Sequence, residues 1–190
     1  MNFGTLGSSE SNHALVLRRY FEARKLIDTR VNYYEEFIPA FEDLSAGTLD
    51  FVLQVSVHPQ HAECVARFVG CTFIVDTFIA PSKPLGILTR RNVDTPKTIG
   101  LQPATLHYSD LSAWTEQVPE ASITAVADGL LAGRLDSGIT ALELMEQYPS
   151  RFRLERKIGQ VQDAWVLFGR EPVCVGDIAI WPESPVVPLL

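Results

Sequence analysis

Hydrophobic and polar positions follow two periods that alternate along the chain. Residues 1–6 read as a short strand, and the turn Gly7-Ser8-Ser9-Glu10-Ser11 follows. From 12 to 26 the spacing becomes helical, with Ala14, Leu17, Tyr20 and Phe21 on one face and Arg18, Arg19 and Arg24 on the other. A strand over 29–33, a helix over 36–46 and a strand over 51–57 come next. The last of these is apolar at nearly every position, as in a sheet covered on both faces. A helix over 60–69 and a strand over 71–79 lead to the break Ala80-Pro81-Ser82-Lys83-Pro84, and 86–90 resumes as a strand.

Beyond the turn-rich stretch 92–97, residues 98–101 read as a strand and 102–114 as a helix. Pro103 stands in its first turn, where a missing N–H would be unpaired in any case. A short strand ending near Ser122, a helix over 124–132, a strand over 137–140 and a helix over 141–148 complete the alternation. Two strand-like runs, 152–158 and 164–168, precede a tail from Glu171 that carries four of the twelve prolines. Strands and helices alternate throughout, so the fold class is α/β. The segment 92–150 forms a βαβαβα unit of its own. The economical architecture has two lobes around a cleft: a first lobe of 1–85 completed by 160–175, a second lobe of 86–159, and a C-terminal extension of 176–190.

Composition narrows the function. The chain has 16 Lys+Arg against 23 Asp+Glu, a net charge of -7, and no basic run longer than Arg18-Arg19 or Arg90-Arg91, so a nucleic-acid partner is not expected. No window approaches the roughly 20 apolar residues that span a bilayer, and no basic segment leads into an apolar one at the start; a cytoplasmic protein without a membrane partner is expected. Cys64, Cys71 and Cys174 are odd in number and form no C-x-x-C pair, which reads as reduced, mostly buried thiols and no metal site. Without a G-x-G-x-x-G or P-loop pattern, no cofactor is expected.

One junction carries chemistry. Strand, Gly/Ser turn and helix start come in that order over residues 1–12, and unpaired N–H groups at a helix start attract anions. Ser9 and Ser11 suit such a ligand site, and they equally suit a helix cap. His58 follows the buried strand at its carboxyl end, where α/β clefts bind ligands, and is the leading titratable group; a hydrogen-bonded turn residue is its other reading.

The motifs, taken in order, resemble the prephenate dehydratase superfamily, and within it the prephenate decarboxylase branch of the bacilysin type. Thr5-Leu6-Gly7-Ser8-Ser9-Glu10-Ser11 is similar to the dehydratase opening Tyr-Leu-Gly-Pro-Glu-Gly-Thr, which sets Ser11 on a ligand-contacting Thr. Leu101-Gln102-Pro103 resembles the Ser-His-Pro of the second-lobe helix, and Ser122-Ile123-Thr124-Ala125 resembles the Ser-Ser-Thr-Ala turn. The resemblance covers roughly residues 3–170 and implies a two-lobed type 2 periplasmic-binding-like fold.

Two departures separate the branches. The dehydratase Thr-Arg-Phe, whose Thr assists loss of the ring hydroxyl, is replaced by Asp163-Ala164-Trp165 within a stretch that looks like the decarboxylase Ser-Trp-Ser-Leu-Phe-Gly; and Pro-x-Glu-Asn-Ser gives way to Val55-Ser56-Val57-His58-Pro59. The resemblance therefore implies a cofactor-independent lyase that decarboxylates prephenate without aromatising it, with the dehydratase reaction or non-catalytic anion binding as alternatives. It also implies a homodimer. His58 and Thr140 are the expected catalytic groups. Ser9, Ser11, Arg90, Gln102 and Trp165 are expected at the substrate, with Arg90 matching an Arg of the branch. Arg90 with Arg91 also suits a solvated surface pair, and Trp165 equally suits a core position.

Overall fold

In the computed structural model, which describes residues 1–174, 176 and 178–180, the strands assemble into two five-stranded sheets. The first holds β1 (Asn2–Leu6), β2 (Arg30–Tyr34), β3 (Phe51–Val55), β4 (Phe73–Pro81) and β10 (Gln162–Gly169), in the order β2-β1-β3-β10-β4. The second holds β5 (Leu85–Arg90), β6 (Thr98–Leu101), β7 (Glu116–Pro119), β8 (Ser137–Ala141) and β9 (Phe152–Gly159), in the order β7-β6-β8-β5-β9. In the first sheet β1 runs parallel to β2 and β3 while β10 runs antiparallel to β3 and β4. The second repeats the scheme, with β6 parallel to β7 and β8 and β5 antiparallel to β8 and β9.

Helices cover the faces: α1 (Asn12–Arg24), α2 (Phe37–Ala46), α3 (His61–Arg67), α4 (Ile123–Leu131) and α5 (Glu143–Gln147). Because strand side chains alternate between faces, neighbours on one strand serve different cores. Val52 packs with Phe37, Phe41 and Phe168, whereas Leu53 packs with Phe3, Leu17 and Trp165. Leu88 and Ile87 divide in the same way between the cores on either side of the second sheet. The apolar run over 51–55 thus marks a strand buried on both faces.

The chain crosses between the sheets twice, at 82–84 and at 160–161, and the two crossings are tied together. Ser82 donates its amide to Val161 O (2.8 Å), and its hydroxyl accepts from the Val161 amide (2.9 Å). The first sheet is therefore built from residues 2–81 and 162–169, and the second from residues 85–159.

The helix expected over 102–114 reduces to one 3-10 turn, Pro103–Thr105. The rest of the segment is held by isolated turns and side-chain bonds: Tyr108 and Trp114 donate their amides three residues back, to Thr105 O (3.0 Å) and Leu111 O (3.1 Å), Asp110 accepts from the Ser112 amide (3.0 Å), and Trp114 Nε1 donates to Ser137 Oγ (2.8 Å). Leu111 is buried beside Ile99 and Ile139, so the connection packs as a fitted loop. Of the cysteines, Cys64 is buried but Cys71 and Cys174 are exposed, contrary to the expectation of mostly buried thiols. Most of the expected C-terminal extension, 175, 177 and 181–190, lies outside the described residues.

Candidate functional site

The turn after β1 is shaped for a backbone that must double back at once. Gly7 takes φ +90°, a conformation that strains any residue with a Cβ, and its amide donates to Tyr34 O at 2.8 Å. Ser11 then caps α1: its hydroxyl accepts from the Ala14 amide (3.1 Å) and donates to Leu6 O (3.1 Å). Neither bond uses the amides of Asn12 and His13, which have no partner among the described residues. Two free N–H groups and the positive end of a thirteen-residue helix therefore point the same way.

They point into a cleft between the sheets of ≈ 710 Å³, open solvent at its mouth included. The first sheet contributes Leu6, Gly7, Ser11, Asn12, His13, Val55 and His58; the second contributes Gln102, Thr105 and Tyr108 together with Ser122, Ile123 and Thr124 at the start of α4. Ser122 caps α4 as Ser11 caps α1, accepting from the Ala125 amide at 3.0 Å. Gln102 caps the 3-10 turn through Oε1, which accepts from the Ala104 amide (2.8 Å) and leaves its –NH2 for the cleft. Both sheets thus present helix starts to one space. No Lys or Arg is among the lining residues, and Asp163 is their only carboxylate.

Two imidazoles line the first-sheet wall. His58 Nδ1 accepts from the Gln60 amide (3.2 Å), which puts the ring proton of the neutral form on Nε2, and its ring meets Phe37 edge-on at 4.9 Å. Burial, and secondarily His61, hold its pKa below the ordinary value. His13, the second residue of α1, lies between Phe37 (5.6 Å) and Trp165 (5.1 Å), and its buried Nε2 has no partner among the described residues. Burial of the ring, helped by His58, lowers its pKa to about 3, so it is neutral at pH 7. Asp163, on β10, is 8% exposed and shifted upward by burial, while Tyr108 is raised by burial and by Asp163.

Of the residues singled out from sequence, Ser11, His58 and Gln102 meet in this cleft. The other four lie elsewhere. Ser9 is exposed, with its hydroxyl 3.4 Å from Glu10 Oε1. Arg90 stands at the far end of β5; Leu85, at the near end, lines the cleft, and the five residue steps of strand between them span roughly 17 Å. Its guanidinium is engaged there by Leu135 O (2.9 Å) and Asp136 (3.3 Å). Thr140 donates to Ile123 O (3.1 Å) and lines an adjoining depression with Lys83 and Glu143. Trp165 is fully buried in the core, bonded to Ala80 O (3.3 Å), and backs His13 from behind.

Nothing local in the sequence marks His13, because helical position alone does not show a ring's neighbours. Asp163 was read only as part of a departed motif. Its position, two residues before Trp165 in the apolar β10 run, is the one local signal that its carboxylate faces inward.

No protein-family model matches the chain, and no curated protein sequence matches it. Solved structures share its fold. The prephenate dehydratase of Arthrobacter aurescens, solved with L-Phe, is 17% identical with a TM-score of 0.67 over 94% of this chain and 62% of its own. The periplasmic VFT2 domain of Bordetella pertussis BvgS gives 12% and 0.55, over 89% of this chain and 80% of its own. The binding component of an ABC phosphonate transporter from Pseudomonas aeruginosa gives 12% and 0.51, over 90% and 68%. The chain spans about three fifths of the dehydratase's length. The two-lobed α/β fold with a cleft between lobes is therefore that of prephenate dehydratase and of type 2 periplasmic binding proteins. No helix among the described residues is long and apolar enough to cross a membrane.

Proposed function

We propose that the protein is a cofactor-independent lyase of the prephenate dehydratase superfamily, in its decarboxylase branch. It converts prephenate to carbon dioxide and a dihydro-4-hydroxyphenylpyruvate, a precursor for a non-aromatic amino acid or antibiotic. The observation that carries this reading is the make-up of the cleft: free helix-start amides and neutral imidazoles on the first-sheet wall, apolar and uncharged polar side chains facing them, one carboxylate, and no cation among its lining residues.

Prephenate brings two carboxylates, which such a cleft treats differently. The pyruvyl carboxylate is held by the Asn12 and His13 amides beside Ser11, with Gln102 closing from the second lobe. The ring carboxylate faces Val55, Val57 and Leu85, where little stabilises a localised charge. Loss of carbon dioxide spreads that charge into the ring, so an apolar wall disfavours the ground state more than the transition state. An Arg clamp would do the reverse. The ring hydroxyl must stay, and the chain carries Asp163-Ala164-Trp165 where the dehydratases carry the assisting Thr-Arg-Phe. His58 presents a neutral N–H to the bound molecule.

Three free thiols, two of them exposed, suit the reducing cytoplasm. The exposed Ile74 and Ile79 on the edge strand β4 offer a face for a homodimer. A second reading, a non-catalytic binder of a small carboxylate, is favoured by the same opposed helix starts and needs no chemistry. Mixing the protein with prephenate at neutral pH and following absorbance and proton NMR separates the possibilities. A non-aromatic product with carbon dioxide release is expected. Phenylpyruvate would make the protein a dehydratase, and saturable thermal stabilisation without turnover would make it a binding protein.

A further inference from the structure

Decarboxylation without aromatisation needs one proton at a ring carbon, and we propose that the Asp163 carboxyl, facing the cleft from β10, delivers it. This assignment rests on the decarboxylase reading above. The C–C bond to the ring carboxylate breaks and carbon dioxide leaves. Its electron pair forms a new ring double bond, the pair of the former double bond moves to the ring carbon beside the carbinol, and that carbon takes the proton. Prephenate dianion and one proton give a monoanionic dihydro-4-hydroxyphenylpyruvate and carbon dioxide; Asp163 is left as carboxylate and recovers its proton from water.

Geometry singles out Asp163. It lies in the lining beside Val161, just past the crossing between the sheets, and is 8% exposed. No hydrogen-bond donor and no cation reaches its carboxylate among the described residues, although buried carboxylates are ordinarily paired. The titratable groups that share the cleft are His13 on α1, His58 after β3 and Tyr108 in the 102–115 connection. Both imidazoles are lowered and the phenol is raised, so all three are neutral at pH 7 and none balances a carboxylate. Burial pushes Asp163 upward in the free protein, and an entering dianion pushes it further in the same direction. The protonated acid is thus the form that tolerates the substrate. His58 and His13, neutral and weak as acids, are poorer donors.

The test compares wild type, Asp163→Asn and Asp163→Glu for prephenate turnover, substrate binding and melting temperature. Asp163→Asn keeps the neutral shape of the protonated side chain, so unchanged or higher stability and undiminished prephenate binding are expected. Its kcat should fall at least 100-fold, the usual scale for loss of a general acid. Asp163→Glu should recover part of the rate. In wild type kcat should decline as pH rises through the Asp163 pKa, and that limb should vanish from the residual activity of Asp163→Asn. If wild type releases carbon dioxide from prephenate and Asp163→Asn does so within threefold of its rate, the donor assignment is wrong while the decarboxylase reading stands. If wild type leaves prephenate intact or makes phenylpyruvate, both fall together.

Discussion

Ser11 commits its only hydroxyl donor to structure: the oxygen caps the Ala14 amide and the O–H ties the turn to Leu6 O. In the proposed reading, ligand binding is left to the backbone N–H groups that this cap holds in place. Ser11→Ala should therefore cost about 1 kcal/mol in chemical denaturation, the usual loss of an N-cap, and weaken prephenate binding through a loosened helix start. Titration calorimetry would show an unchanged affinity if the turn held its shape without the hydroxyl. Residues whose place in the cleft depends on local chain geometry were legible in the sequence: Ser11 at a Gly/Ser turn, Gln102 before a proline, His58 at a strand end. His13 and Asp163 depend on which aromatic rings and which second lobe close over them, and no local pattern reports that. Arg90 was placed at the substrate by its match to the branch, but the direction of β5 carries it to the far end of the sheet, onto Leu135 O and Asp136.

At the level of elements, the two periods of the hydrophobic pattern located the ten strands and five helices described within a few residues, because most of them bury one face or both. The segment after Pro103 escaped that logic. Its apolar residues Leu106, Leu111 and Trp114 are spaced much as in a helix, yet Asp110 and Ser112 spend their hydrogen bonds on a local turn. Close packing of α4 on β8 makes a sharper prediction. A Cβ at Gly138 would come within 2.4 Å of Val126 Cγ1, so Gly138→Ala should destabilise the protein by about 1–3 kcal/mol. The displaced helix start would also carry Ser122 and Thr124 away from the cleft. Urea unfolding and prephenate affinity, measured on the same variant, should move together.

For the molecule as a whole, buried ionisable groups of opposite tendency shape the response to pH. Between pH 6.5 and about 3 the unfolded chain takes up a proton at His13 that the folded chain refuses, so stability falls as pH drops through that window and is level above it. Asp163 has the opposite sign: its folded pKa is raised, so the stability it contributes is complete below the ordinary carboxylate range and declines as pH rises through the folded pKa. Replacing His13 by Gln should remove up to about 1.4 kcal/mol per pH unit from the acid-side slope, read from denaturation midpoints between pH 6 and 4. An unchanged slope would mean that His58 and His61, both also lowered, carry it instead. The two-lobed class was legible because the alternation of elements restarts after the Pro81-Ser82-Lys83-Pro84 break; the placement of the cleft's lining was not, since it comes from residues up to 157 positions apart, such as Leu6 and Asp163.

The paired crossings at 82–84 and 160–161 make the second half of the molecule an insertion in the first. Pro81 and Gln162 stand opposite each other in the β4–β10 ladder, as Leu85 and Gly159 do in β5–β9. Directly opposed residues are roughly 5 Å apart, a gap that two residues close in a hairpin. Deleting 82–161 and joining the ends by Asn-Gly should therefore leave a first sheet that still folds cooperatively, with circular dichroism and urea unfolding as the check. A chain assembled in this way can exchange its inserted half for another without breaking a strand of its host, and every such exchange rebuilds one wall of the cleft while leaving the start of α1 untouched.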